Sequence, residues 1–171
     1  MDALEAIRNR RSVRDFTDTT VTAEQVDLLL RAAMAAPSAG NQQSWRFVVV
    51  RDRETLARLG ESTPYGKPMG RAALGIVVLA DPGAETFPGN WPNDCAAATE
   101  NVLVAAHAIG LGACWLGVYP GQDREAAVGA VVGLPEGFRA FSMIAVGEPA
   151  KRGPKPDRFD DAKVRTERWS D

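Results

Sequence analysis

The sequence predicts a mixed domain in which helices alternate with strands. Two observations carry that expectation. Short apolar runs stand at 47–50, 74–80, 113–118 and 138–146, and helical patterns or turn-rich stretches separate them. Taken alone, this alternation predicts a doubly wound parallel sheet. The 171 residues make one domain of ordinary size, long enough to bury a core without disulfides. Apolar residues are 45% and charged residues 25%, which is ordinary globular composition.

Residues 2–9 read as a short helix with Leu4 and Ile7 on one face. The run Arg10-Arg11-Ser12-Val13-Arg14-Asp15-Phe16 follows. If it is extended, Arg10, Ser12 and Arg14 share one face, and Arg11 and Val13 take the other. Two guanidinium forks and a hydroxyl on one side suit a phosphate dianion. Thr22-Ala23-Glu24-Gln25 is a capping-box pattern. It opens a helix whose face carries Val26, Leu29, Leu30 and Ala33, and Pro37 stops it.

The stretch from Ala36 to Phe47 joins that helix to the first strand. Ser38, Asn41, Gln42, Gln43 and Ser44 supply more hydrogen-bonding groups than a plain connector needs, and Gly40 lets a flat ligand lie near the backbone. Residues 47–50 are apolar on both faces, so the strand is expected to be central. A polar helix spans 53–60, and 74–80 is a buried strand. Residues 81–93 hold three Pro and two Gly, a loop long enough to act as a lid. The helix at 94–109 carries only Asp94 and Glu100 as charges near neutral pH. A helix this apolar must be covered on all sides, which in so small a domain predicts a second chain. After a strand at 113–118, a helix at 123–132 and a strand at 138–146, the polar tail from 147 to 171 ends on Val164 and Trp169. Such a tail is expected to wrap something.

Several function classes are excluded. A net charge of −2 gives no nucleic-acid footprint. No apolar run is long enough to span a bilayer. Cys95 and Cys114 form no framework, so reduced buried thiols and a cytoplasmic address are expected. One histidine, His107, cannot build a metal site alone. Gly60 to Lys67 is one residue too long for a phosphate-binding loop and puts Pro68 where Ser or Thr is needed. Gly110-Leu111-Gly112 fails the dinucleotide fingerprint, because Trp115 replaces the third glycine. No Gly-x-Ser-x-Gly occurs. With no nucleophile, base or metal set, catalysis would fall to a cofactor.

Four stretches in order resemble the signatures of the FMN-dependent nitroreductase family, in its compact branch. They are Arg10 to Phe16; Ala36-Pro37-Ser38 with Asn41, Gln43, Trp45 and Phe47; Asp94 to Asn101 leading into Gly110 to Gly117; and Asp157-Arg158-Phe159 with Val164, Arg168 and Trp169. The resemblance spans nearly the whole chain. It implies an α+β fold with a mostly antiparallel sheet flanked by helices, in an intertwined homodimer with exchanged tails. It therefore overrides the parallel sheet. It implies one domain over 1–171, with the 147–171 tail on the partner.

The resemblance also implies FMN at the seam. Arg10, Ser12 and Arg14 would hold its phosphate, with Arg11 in the same basic set and Arg158 and Lys155 joining from the tail. Pro37, Ser38 and Asn41 of the other subunit would touch the ring and ribityl chain. The backbone of Trp115, Leu116 and Gly117 would face the isoalloxazine, with Lys67 near its pyrimidine end. NADH or NADPH would reduce the flavin, and a nitroaromatic, quinone or similar acceptor would reoxidise it. Phe87 and Trp91 would wall the open face. Dehalogenation, flavin conversion and non-catalytic flavin binding are the alternatives within the fold. Ser44 stands where the family usually has Pro, and Arg165 where this branch often has His.

Overall fold

The computed structural model describes residues 1–151, 153 and 157–169. Four strands form one sheet: β1 (Trp45–Val50), β2 (Leu74–Ala80), β3 (Gly112–Gly117) and β4 (Arg139–Gly147). Their order is β1-β2-β4-β3, and every neighbouring pair is antiparallel. The parallel sheet drawn from alternation alone is thus wrong, and the antiparallel α+β expectation holds. The connection through α5 returns the chain in the direction of β2, but it places β3 beyond β4, so no strand repeats the direction of its neighbour.

All residues of β2 and all but the first of β4 are buried. Strands buried on both faces need cover on both faces. Along β2, Ile76, Val78 and Ala80 meet one apolar layer. Val77 and Leu79 meet the other. The first layer is built by α2 (Ala23–Met34) and α5 (Trp91–Ala108), which supply Leu29, Ala33, Cys95, Ala98, Val102 and Ala106. The second comes from α3 (Arg53–Glu61), α4 (Lys67–Arg71) and α6 (Gln122–Val132), through Leu56, Leu59, Met69 and Val128. Each fully buried Leu contributes roughly 1.5–3 kcal/mol. The short α1 (Ala3–Asn9) packs beside α5.

Local rules set the ends. Thr22 caps α2 with the reciprocal Gln25 bond of a capping box. Asp52 caps α3 by accepting from the Thr55 N–H. The α5 helix starts three residues before the sequence pattern suggested, with Pro92 in its first turn, where a missing N–H costs nothing. The glycines of the rejected motifs have packing roles. A Cβ on Gly66 would sit 2.1 Å from the Gly60 carbonyl oxygen, so the pair lets α3 meet the start of α4.

A β-bulge sits where Val78 pairs Ser142 and Leu79 pairs Ala140. Phe141 is the extra residue, and both Phe141 and Ser142 then face α5. The Ser142 hydroxyl lies 3.1 Å from that of Thr99, which also donates to the Cys95 carbonyl at 2.7 Å. Phe141 joins Trp91, Trp115 and Tyr119 in an aromatic cluster. Arg139 lies over the rings of Trp91 and Tyr119 and forks onto Glu125 at 2.7 and 2.9 Å.

One expectation changes. β1 is an edge strand and not central, because β2 is its one partner among the described residues. Its Val49 is exposed. The chain's own elements leave one side of α5 open, where the apolar sequence predicts cover from a second chain. Val104 and Ala105, with Ile7, Ala32 and Ala35, line a groove of about 510 Å³. No helix among the described residues is long and apolar enough to cross a membrane. From 157 onward the described tail is exposed, and Phe159, Val164 and Trp169 pack on no core.

The Glu125–Arg139 fork fixes the start of α6 against β4. Replacing Arg139 with Met leaves a buried carboxylate unpaired. The expected loss is about 1–2 kcal/mol in equilibrium urea unfolding, modest because the arginine is itself partly in water.

Candidate functional site

The basic segment after α1 runs along the free edge of β3. Ser12 bridges Ala113 in parallel, and the Val13 N–H donates to the Ala113 carbonyl at 2.9 Å. Successive side chains then alternate. Val13 turns toward β3 so tightly that a Cβ on Gly112 would lie 2.8 Å from it. Arg11 shares Val13's side, lining a pocket of about 250 Å³ with Leu111, Lys151 and Gly153. One of its buried Nη atoms has no hydrogen-bond partner among the described residues.

Ser12 takes the other side, toward Cys114, whose thiol donates to the Trp115 carbonyl at 3.7 Å. Burial pushes that thiol's pKa up, while the charge of Arg14, the Ser12 hydroxyl and the charge of Arg10 pull part of it back. Arg10, Ser12 and Arg14 therefore gather on one face around Cys114. Arg10 is tethered to α5 by an ion pair with Glu100 at 3.1 Å. Beyond Ala113 the outer edge of β3 has no bridge among the described residues; since the Ala113 carbonyl points to that edge, the backbone groups of Trp115 and Gly117 point there unpaired, and those of Leu116 face β4.

That edge opens on a cleft of about 680 Å³ lined by Arg14, Trp115, Leu116 and Gly117 from one wall. Tyr65, Lys67, Arg71 and Arg124 come from the other side. The size suits a ligand-binding cavity. Nothing lies within 4 Å of where a Cβ on Gly117 would sit, so a flat group can reach the backbone there. The rim is cationic: Arg14, Lys67, Arg71 and Arg124 face it with Asp15, which pairs Arg71 at 2.7 Å. Donors for a phosphate and an open strand edge beside a wide cleft fit a flavin mononucleotide.

Pro37, Ser38 and Asn41 do not line this cleft. They lie before β1, at the same end of the sheet but on its opposite edge, since Trp45 pairs Ala80 and Ala80 pairs Arg139. Three strand spacings, about 14 Å, separate β1 from β3. Their turn is tightly made. Asn41 and Gln43 have φ of 57° and 49°. The Ser38 hydroxyl accepts from the Gln43 N–H at 3.1 Å. Arg158 is exposed on the tail, and Lys155 lies outside the described residues. Trp91 is only 6% exposed and anchors the aromatic cluster, so within one chain it walls nothing. Phe87 is half exposed and rests on Gly40.

Sequence reasoning missed the groups that hold the 38–43 turn. Asp94, buried at the start of α5, accepts from the Ala39 N–H at 3.0 Å and from Gln42 Nε2 at 2.7 Å. A lone Asp in an apolar helix was the available signal, since a buried carboxylate requires donors. Ser44, the departure from the family pattern, is fully buried and its hydroxyl has no partner.

The family model described as the nitroreductase family matches residues 7–64 and 61–148. This chain belongs to that family. It is 43% identical over 99% of its length to a protein of Methanothermobacter thermautotrophicus named "Putative NADH dehydrogenase/NAD(P)H nitroreductase", 88% of which is covered. A Desulfovibrio desulfuricans protein solved in complex with FMN superposes with a TM-score of 0.85 at 34% identity, over 99% of each chain. An FMN-dependent nitroreductase from Clostridium difficile R20291 gives a TM-score of 0.90 at 26% identity, over 97% of this chain and 99% of that one.

Cys95 carries a pH prediction. Burial, then the charges of Asp94 and Glu85, push its thiol from 9.0 up to about 12. Below pH 9 the thiol is protonated folded or unfolded, so its contribution is fully present and does not vary with pH. Above that, the unfolded chain ionises first, and its contribution is lost as pH rises toward about 12. Cys95→Ala should therefore flatten the alkaline decline of the melting temperature while leaving it unchanged in shape near neutrality.

Proposed function

We propose that this chain is an NAD(P)H-dependent FMN oxidoreductase acting on an electron-poor small molecule such as a nitroaromatic or quinone. The observation that carries this reading is the Arg10, Ser12 and Arg14 face beside the unpaired edge of β3, at the mouth of a cleft wide enough for a flavin. Bound FMN would supply the chemistry, accepting a hydride from NADH or NADPH and passing reducing equivalents to the acceptor.

The chain's own residues would hold and tune the cofactor. Arg10, Ser12 and Arg14, with Arg158 and Lys155 of the tail, give the phosphate charge-assisted bonds. Arg11 adds positive charge behind that set. The backbone of Trp115, Leu116 and Gly117 faces the ring, the outward N–H groups of Trp115 and Gly117 hydrogen-bond its edge, and Lys67 stands nearby on the cleft wall. No side chain need move a proton, since water reaches the open cleft. Positioning and electrostatics are then the protein's contribution.

The site is completed in a homodimer. Leu4, Ile7, Leu28 and Met34 are exposed on α1 and α2, around the groove on α5. Exposed apolar area of this kind marks an interface. Two further features support exchange of the tail: its apolar residues lie uncovered, and β1 has an open edge to receive them. Residues 1–171 then act as one domain, with 147–171 reaching across. Pro37, Ser38 and Asn41 serve the flavin of the opposite subunit. Two free buried cysteines suit a reducing, cytoplasmic address.

The purified protein should show a flavin absorption spectrum that anaerobic NADPH or NADH bleaches and a nitroaromatic or quinone restores. Arg10→Ala should weaken FMN retention by about tenfold, the scale of one charge-assisted bond, while size-exclusion chromatography still reports a dimer. Wild-type flavin content in that variant would refute the phosphate assignment. Val104→Arg puts a charge into the α5 groove. It should give a monomer in light scattering and release FMN with it.

A further inference from the structure

We propose that Gln42 is a positioning residue that joins the flavin-facing 38–41 turn and the Phe87 loop into one rigid unit. This rests on the placement of FMN against 38–41 given above. Gln42 Nε2 donates to Asp94 Oδ2 at 2.7 Å and to Glu85 Oε1 at 3.2 Å. Its Oε1 accepts from the N–H groups of Thr86 at 3.2 Å and Phe87 at 3.1 Å. Carboxylates only accept and backbone N–H groups only donate, so the amide has one possible orientation, and all four of its bonds are made.

The two carboxylates extend the network. Asp94 Oδ1 accepts from Ala39 N–H inside the turn. Glu85 accepts from Trp91 N–H at 2.7 Å and Gly89 N–H at 3.0 Å. The turn, the loop and the start of α5 thus share three side chains. The same unit sets the Phe87 ring against the turn. A Cβ on Gly40, whose φ is 52°, would fall 2.1 Å from Phe87 Cε2. One side of the ring is thereby fixed against the turn, and the ring remains half exposed. The aromatic and the flavin-facing turn then move together, and the 81–90 loop is no free lid.

No other side chain of this length makes those bonds. Glutamate has none of the amide's donors. Ionised, it sets a third carboxylate against Asp94 and Glu85. Protonated, its one O–H can serve a carboxylate while its oxygens accept from the loop. Gln42→Glu is therefore a copy that works only when protonated. Gln42→Met fills the space without charge or hydrogen bonds.

The test is FMN dissociation from the dimeric holoprotein, followed by recovery of free-flavin fluorescence at about pH 5 and about pH 8. Each variant is compared with wild type at the same pH, because the FMN phosphate itself gains a proton between the two. Gln42→Glu should approach wild type at the lower pH and bind about tenfold more weakly at the higher. Gln42→Met should be weaker by a similar factor at both, with no pH dependence of its own. A variant that merely loosens the fold would not regain affinity with acid. Wild-type affinity in both variants at both pH values, in a wild type that binds FMN, overturns this proposal alone. A wild type that takes up no flavin overturns the FMN reading and this proposal with it.

Discussion

The pairing of β2 with β4 is the constraint from which the rest of the molecule follows. Each pairs with a strand on both sides, so neither is an edge, and both are buried on both faces, so neither can be left uncovered. β1 and β3 must then take the outside positions, and helices must cover both surfaces. The long α5 is the thickest part of that cover. Its buried side seals the centre of the sheet, and its other side is left as a mostly apolar groove. The bulge at Phe141 tunes this contact by turning two consecutive residues of β4 toward α5.

The candidate site inherits its geometry from the sheet order. Because β3 is an edge, its outer side is open to a segment that needs no strand of its own. Residues 10–16 lie there, joined by one bridge at Ala113 and held at Phe16 by another to Pro149. An extended segment lying on an edge alternates its side chains. That alternation alone sorts Ser12 and the arginines beside it onto the Cys114 side, and Arg11 onto the other.

Local chemistry was legible in the sequence, and long-range pairing was not. The capping box at Thr22 and the buried strand at 74–80 were readable because each depends on neighbours in the chain. Strand direction depends on where a helix returns the chain, and alternation of helices and strands carries no mark of that. The resemblance to a known family supplied the antiparallel sheet that periodicity had missed. Residues 47–50 misled for a related reason: an apolar strand reads as central whether the cover comes from its own chain or from elsewhere. Gln42 was visible among several amides, but nothing local set it apart. Its partners Glu85 and Asp94 stand 43 and 52 residues away.

The same sheet order argues that one chain holds only part of a flavin site. Residues 38–41 and Gly117 stand at one end of the sheet but on opposite edges, with β2 and β4 between them. Those two strands are the most deeply buried part of the molecule, so no motion short of unfolding brings the edges together. A ligand touching both groups must take one of them from another copy. On that reading cofactor binding and subunit association are a single linked equilibrium: each stabilises the other by mass action. The exposed apolar residues of α1, α2 and the tail are then half of a surface whose second half is the same sequence. On the same reading the arginines of residues 10–14 would hold an anion at a seam that the apolar residues close.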